Sequence, residues 1–228
     1  TQDQLYTKLQ SLLETIDFVR KKNSDAAISI AMLDIGRSAN TILEQCVSFL
    51  NHHIDIISLP DTSGIMPPNH VFDKIKFLSS KTNITKISVH CHNDMGMASA
   101  NSVMGIMAGG EILEASALGI GERNGIADLY TTGKTLQDLG FQTNLNTNDI
   151  STFKAYYDYV DAIVFEQTSQ HLLTLNTPVF GDAVKTHVAG THAGGEYGMA
   201  SEERFFLNTL CGKYLVKKYL KTYMTFIR

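Results

Sequence analysis

The alternation of apolar and polar positions divides the first 139 residues into a repeating helix–strand rhythm. Leu5, Leu9, Leu12, Leu13, Ile16 and Val19 recur at helical spacing and predict an amphipathic helix over 5–22. Short apolar runs bounded by polar or turn residues predict strands over 27–32, 54–59, 86–90 and 112–118. Helical patterns follow each of them, over 41–50, 68–80, 95–108 and 126–139. Pro67 and Pro68 suit the opening turn of the second of these helices, and residues 60–64 read as the loop before it. Strands alternating with helices at this spacing imply βαβ units and a parallel sheet. Beyond residue 139 the texture changes. Residues 140–148 are polar and turn-rich, 150–164 are helical in pattern, and 177–183 form a loop. The expected organisation is a βα region over 1–139 and a mostly helical tail over 140–228.

Composition narrows the function classes. A formal net charge of −4 and 43% hydrophobic residues describe an ordinary globular chain with a real core. There is no basic stripe, which argues against nucleic acid as a partner. No apolar run has the length of a membrane span, and the polar start TQDQLYTKLQ lacks the apolar core of a signal peptide. Cys46, Cys91 and Cys211 are few, odd in number and scattered, the usage of a reduced cytoplasmic protein.

The chemistry is concentrated in 87–128, ISVHCHNDMGMASANSVMGIMAGGEILEASALGIGERNGIAD. His90 and His92 stand two apart at the end of a strand, so both imidazoles leave on one face, as two ligands of a divalent metal would. Cys91, between them, points the other way into packing. Asn93 and Asp94 occupy the expected helix N-cap. Gly119 and Gly121 permit a tight backbone ahead of Glu122 and Arg123, which read as the end of the last strand.

This block resembles the pyruvate-carboxyltransferase-like (HMGL-like) metallolyase superfamily, in particular its homocitrate synthase and isopropylmalate synthase branch. The resemblance implies a (β/α)8 TIM barrel, of which residues 1–139 supply four βα units. A closed barrel needs eight, so the chain is expected to be the C-terminal half of such a barrel followed by a helical linker. The N-terminal half, with an acidic metal ligand, is expected to be absent. The same resemblance makes His90 and His92 ligands of a divalent metal (Zn, Mn, Mg or Co). It gives Thr62, in Leu59–Gly64, contact with the carboxylate of a 2-oxo acid, and Glu122 and Arg123 places in the catalytic site. Asp34 and Arg37, in the stretch 31–38, match a family segment. Arg37 is taken as a substrate-binding candidate. Asp34 is the nearest catalytic substitute for the family's glutamate at position 33, although on a strand its side chain would point the opposite way from residue 33. In the tail, His187-Val-Ala-Gly-Thr-His192-Ala matches a segment of the synthases that follows the barrel. It implies that His192 is a general acid/base at acetyl-CoA, that Tyr197 is a weaker substrate-binding candidate, and that the tail crosses to a partner in a homodimer. The stretch 207–213 is similar to that branch's linker. His52, His53, His70 and His171 read as surface or packing residues.

The activity implied is a metal-dependent Claisen condensation of acetyl-CoA with a small 2-oxo acid, giving a 2-hydroxy di- or tricarboxylic acid in the cytoplasm. Three positions depart from the pattern. Leu33 stands where the family has a glutamate proposed in proton transfer. Ser29 replaces the arginine with which homocitrate synthases recognise 2-oxoglutarate. Ile126 replaces a metal-binding asparagine found in many relatives. Ser29 and Leu33 count against homocitrate as the product and leave oxaloacetate, pyruvate or a phosphonate analogue open. The alternatives are a metal-dependent acyl-CoA lyase or aldolase of the same superfamily, and a non-catalytic remnant.

Overall fold

Four parallel strands lie side by side in the order in which they occur in the chain, β1 (Ser29–Ala31), β2 (Ile56–Asp61), β3 (Lys86–Cys91) and β4 (Ile112–Glu114). The computed structural model describes residues 2–83, 85–181, 183 and 211–224. Helix α1 (Gln2–Lys22) precedes the sheet. Helices α2 (Asn40–Leu50), α3 (Pro68–Ser79), α4 (Ala98–Met107) and α5 (Leu129–Asp138) each follow one strand. Strand order that never reverses is the winding of a barrel segment, whereas a doubly wound sheet reverses at its middle.

Pleating separates two chemistries across the sheet. Ile57, Leu59, Ile87 and Val89 face the helices and join Leu43, Val47, Leu50, Val71, Ile75 and Leu78 in one buried core. The alternate positions Ser58, Ser88 and His90 face the other way, and the register pairs Ser58 with Ser88 and His90 with Glu114. α1 adds Ile16 to the core, with Leu12 and Leu13 packed against it. Its end is tied down by Arg20, whose guanidinium meets Asp55 Oδ2 at 2.6 Å, while the same oxygen accepts the Ile28 N–H at 2.7 Å.

The buried residues of α4, Ala98, Asn101, Ser102, Val103 and Gly105, are mostly small for a geometric reason. A Cβ on Gly105 would lie 2.6 Å from Val89 Cγ1, so this helix approaches β3 too closely for any larger residue.

Several boundaries differ from the sequence expectation. β1 is trimmed to three residues. β2 runs on through Pro60 and Asp61, which were expected in the loop. β1 has ended opposite Ser58, so the missing N–H of Pro60 costs no ladder bond, and its carbonyl accepts from Ile35 N at 3.2 Å. The strand expected over 112–118 ends at Glu114, and Leu118 is left-handed (φ 56°) in a 3-10 turn over Ala117–Gly119. α5 starts only after Asp128, whose carboxylate accepts the Thr131 N–H at 2.8 Å. The expected cap at Asn93 and Asp94 is also corrected. α4 begins at Ala98, and Asn93 reaches forward to accept its N–H at 3.1 Å, while Asp94 turns elsewhere.

The chain divides into two compact units, Thr1–Thr143 and Asn144–Arg228. Within the second, α6 (Ile150–Thr168) is capped by Asp149 and ends at a left-handed Ser169. Asp161 pins the chain after the helix by accepting the N–H groups of Leu172 and Leu173 and a bond from His171. The second unit also contains α7 (Lys213–Met224). No described helix is long and apolar enough to cross a membrane.

Gly105→Ala is expected to cost about 1–3 kcal/mol through overpacking against Val89. For a chain of this size that lowers the thermal midpoint by about 3–10 °C. Calorimetry of the two proteins checks it; an unchanged midpoint would show that α4 and β3 separate freely.

Candidate metal and substrate site

The C-terminal ends of β2, β3 and β4 bring the histidine pair together with a residue that the sequence reading did not single out. His90 and His92 face each other with Nε2 atoms 3.3 Å apart and ring centroids at 5.0 Å. Behind His90, Glu114 at the end of β4 places Oε2 2.7 Å from Nδ1. Its other oxygen, Oε1, accepts from Ser58 Oγ at 2.6 Å and Ser88 Oγ at 2.7 Å. Hydrogen bonding from His90 first, and from the two serine hydroxyls after it, holds the Glu114 carboxyl down to about 2 against a burial that would raise it.

An ionised carboxylate only accepts, so His90 Nδ1 carries a proton, and in the neutral ring that leaves the Nε2 lone pair facing His92. Burial, then the neighbouring His90 and the Arg123 charge, lower the pKa of His92 and favour its neutral ring. Its Nδ1 is buried with no hydrogen-bond partner among the described residues. The pair suits a divalent cation. The His92 ring is held toward the neutral form that ligation needs. Two nitrogens each about 2.1 Å from one ion, at angles between octahedral and tetrahedral, would stand roughly 3.0–3.4 Å apart. Among the described residues no group of three or more His, Cys, Asp or Glu is arranged to hold an ion, so these supply two side-chain ligands.

Three loops meet beside the pair. Arg123 grips Asp94 with two parallel bonds, Nε to Oδ1 at 2.7 Å and Nη2 to Oδ2 at 2.8 Å, and also donates to the Thr62 carbonyl at 2.7 Å. The loops after β2, β3 and β4 are thereby joined through one guanidinium. Gly64 makes room for this: its φ is +64°, and a Cβ there would sit 2.3 Å from Asp94 Oδ2. The backbone of the last loop lies across the histidines, since Asn93 N donates to Gly125 O at 2.9 Å and His92 bridges to Ile126.

Thr62 Oγ1 accepts the Asp34 N–H at 2.8 Å, which brings the β1 loop to the same end of the sheet. The hydroxyl keeps its own proton to donate. Asp34 is left-handed (φ 63°), and its carboxylate engages Arg37 Nε at 2.8 and 3.0 Å. The strand alternation expected to set residues 33 and 34 on opposite faces does not apply, because β1 ends at Ala31. Leu33 is 67% exposed.

Glu122 and Arg123 do not end a strand. They lie in a turn eight and nine residues after Glu114, with Arg123 left-handed at φ 56°. The Glu122 side chain is 82% exposed and 3.7 Å from Arg123 Nη1, so it is Asp94 that holds the arginine. Cys91 is buried away from the histidines, and burial pushes its thiol up to about 12. His171 stacks on Phe165 and bonds Asp161. His187, His192 and Tyr197 lie outside the described residues. Glu114 had a weak signal in the sequence: a lone charge inside an apolar strand run, with a serine two residues before His90 on the same face.

Arg123→Ala is expected to free the three loops. Hydrogen exchange at the Asn93 and Ile126 amides should then quicken several-fold while the helices stay protected. Arg123→Lys, which keeps the charge but loses the fork, should fall between. Unchanged exchange in the alanine variant would show that the loops hold without the guanidinium.

A family model described as HMGL-like matches residues 4–156. A probable 2-isopropylmalate synthase of Methanosarcina acetivorans is 35% identical over 184 residues, covering 74% of this chain and 34% of the relative. The 2-isopropylmalate synthase of Sulfurisphaera tokodaii is 33% identical over 189 residues, covering 82% and 46%. The chain thus spans about a third to just under half the length of these curated relatives. Among solved structures, the hydroxymethylglutaryl-CoA lyase of Pseudomonas aeruginosa superposes with a TM-score of 0.58 at 15% identity, over 70% of this chain and 56% of that one. The carboxyl transferase domain of Rhizobium etli pyruvate carboxylase does so at 0.57 and 17%, over 68% and 26%. At such identities the likeness concerns the fold, and the four βα units correspond to part of a TIM barrel.

Proposed function

The chain belongs to the HMGL-like family, and on that premise we propose that it serves a metal-dependent Claisen condensation of acetyl-CoA with a small 2-oxo acid. The observation that carries this reading is the pair of ring nitrogens 3.3 Å apart, backed on one side by a fixed carboxylate. It is supported by relatives named 2-isopropylmalate synthase at 33–35% identity.

In this reading His90 and His92 hold a divalent cation, Zn, Mn, Mg or Co. When bound, such an ion supplies Lewis acidity to the keto group of the 2-oxo acid. Thr62 donates its free hydroxyl proton to the carboxylate of that acid, oriented by the bond its oxygen accepts from Asp34 N. Arg37 offers a second anion contact from the β1 loop, and Asp34 fixes its direction. Arg123 keeps the loops closed over the pair by its fork on Asp94. Glu122, exposed and outside that fork, is available to exchange protons with solvent. His192 and Tyr197 are assigned to the acetyl-CoA side, His192 to remove or return the proton of the acetyl methyl. A homodimer in which that segment crosses between subunits, in the cytoplasm, belongs to the same proposal.

The relatives' product name implies a 2-oxo acid with an isopropyl group, so 2-oxoisovalerate joins pyruvate and oxaloacetate as the substrates to compare. Ser29 and Leu33 stand against 2-oxoglutarate. The test is release of CoA from acetyl-CoA, followed by thiol titration, with each 2-oxo acid and each cation. One 2-oxo acid is expected to support turnover that a chelator abolishes and the cation restores. His90→Ala and His92→Ala should each lower kcat/KM by about a thousandfold or more, the scale of a lost Lewis acid. Cleavage of a hydroxyacyl-CoA without any condensation would point to a lyase instead. A folded protein inactive in both directions would defeat the catalytic reading.

A further inference from the structure

We infer that Glu114 is a positioning residue for His90, held in place by Ser58 and Ser88, and that this three-strand relay sets the cation affinity of the site. The inference rests on the reading of His90 and His92 as cation ligands. It goes beyond it by assigning roles to three residues outside the ligand pair.

The geometry gives each oxygen of the carboxylate one task. Ser58 on β2 and Ser88 on β3 are both buried, and both hydroxyls end on Oε1. Two donors on one oxygen fix the rotation of the carboxylate and leave Oε2 directed at His90 Nδ1. The donors and the acceptor come from three adjacent strands whose register is set by the sheet itself: Ser58 opposite Ser88, His90 opposite Glu114. The relay is therefore part of the rigid sheet and not of the loops above it.

Its effect falls on a single proton. A neutral imidazole in water shares its proton between both nitrogens. Opposite a fixed carboxylate the proton stays on Nδ1, and the lone pair stays on Nε2, the atom that faces His92. Without Glu114 the ring could rotate and exchange tautomers, and each cation bound would have to order it again. Carboxylates that orient a ligating histidine in this way commonly account for about 10–100-fold in metal affinity.

The experiment uses the whole 228-residue chain, stripped with chelator, as wild type, Glu114→Ala, Glu114→Asp and Ser58→Ala/Ser88→Ala. Two quantities are measured: the His90 tautomer, by long-range proton–nitrogen correlation of histidine-labelled protein, and the dissociation constant for Mn(II), by calorimetry. Circular dichroism reports folding. Wild type is expected to show the proton on Nδ1. Glu114→Ala should lose that preference and bind Mn(II) about 10–100-fold more weakly. Glu114→Asp keeps the charge but is too short to reach the ring, and should resemble alanine. The double serine variant should weaken binding less while leaving the tautomer in place. A folded alanine or aspartate variant that retains both the Nδ1 proton and the wild-type affinity would overturn the inference. If wild type binds no Mn(II) while Glu114→Ala still shifts the tautomer, the positioning role stands and the cation reading falls.

Discussion

The register between β2, β3 and β4 is the constraint on which the rest of this end of the molecule depends. Side chains alternate across a strand, so the pairing of Ser58 with Ser88 and of His90 with Glu114 places four polar groups on one face and Ile57, Leu59, Ile87 and Val89 on the other. A slip of one residue in β3 would bury His90 and Ser88 among the helices and expose Ile87 and Val89. The apolar face thus does more than stabilise. By fixing which face is inward it also fixes where the imidazole of His90 meets the carboxylate. The close seat of α4 on Val89, possible only with glycine at position 105, presses on the same strand from behind.

How much of this could be read in the sequence depends on how local each signal is. The helix–strand rhythm is local, and every expected strand and helix of the first 139 residues exists, with ends shifted by a few residues. The shifts have causes that a one-dimensional pattern does not carry: β1 stopping early enough for Pro60 to remain in β2, or a left-handed Leu118 cutting β4 short. The facing of His90 and His92 was legible, because spacing on a strand determines direction. The role of Glu114 was not, because it arises from pairing between strands 24 residues apart. Arg123 is the converse case. Its neighbour Glu122 looks like the natural ionic partner, yet the tight turn directs the guanidinium to Asp94, 29 residues away. Asp34 was read as a strand residue and is held in a left-handed turn by its contacts to Thr62 and Arg37.

These pairings give the site its electrostatic character. Around the histidines stand carboxylates that, left free, would repel any anion. Asp94 is taken by Arg123, Asp34 by Arg37, and Glu114 by His90 and two hydroxyls. Asp61, fully buried, accepts the Met66 N–H at 3.0 Å inside its own turn. Asp94 and Asp34 each face an arginine, so their fields are those of dipoles and fall off faster than that of a charge. Glu114, in contrast, is held by hydrogen bonds and keeps its charge beside the histidines. The proposed substrates, a 2-oxo acid and acetyl-CoA, are both anionic. A cation on two neutral imidazoles would then stand as the local excess of charge at this end of the sheet. In the proposed reading the acids close turns, join loops and orient His90, and the two ring nitrogens hold the cation.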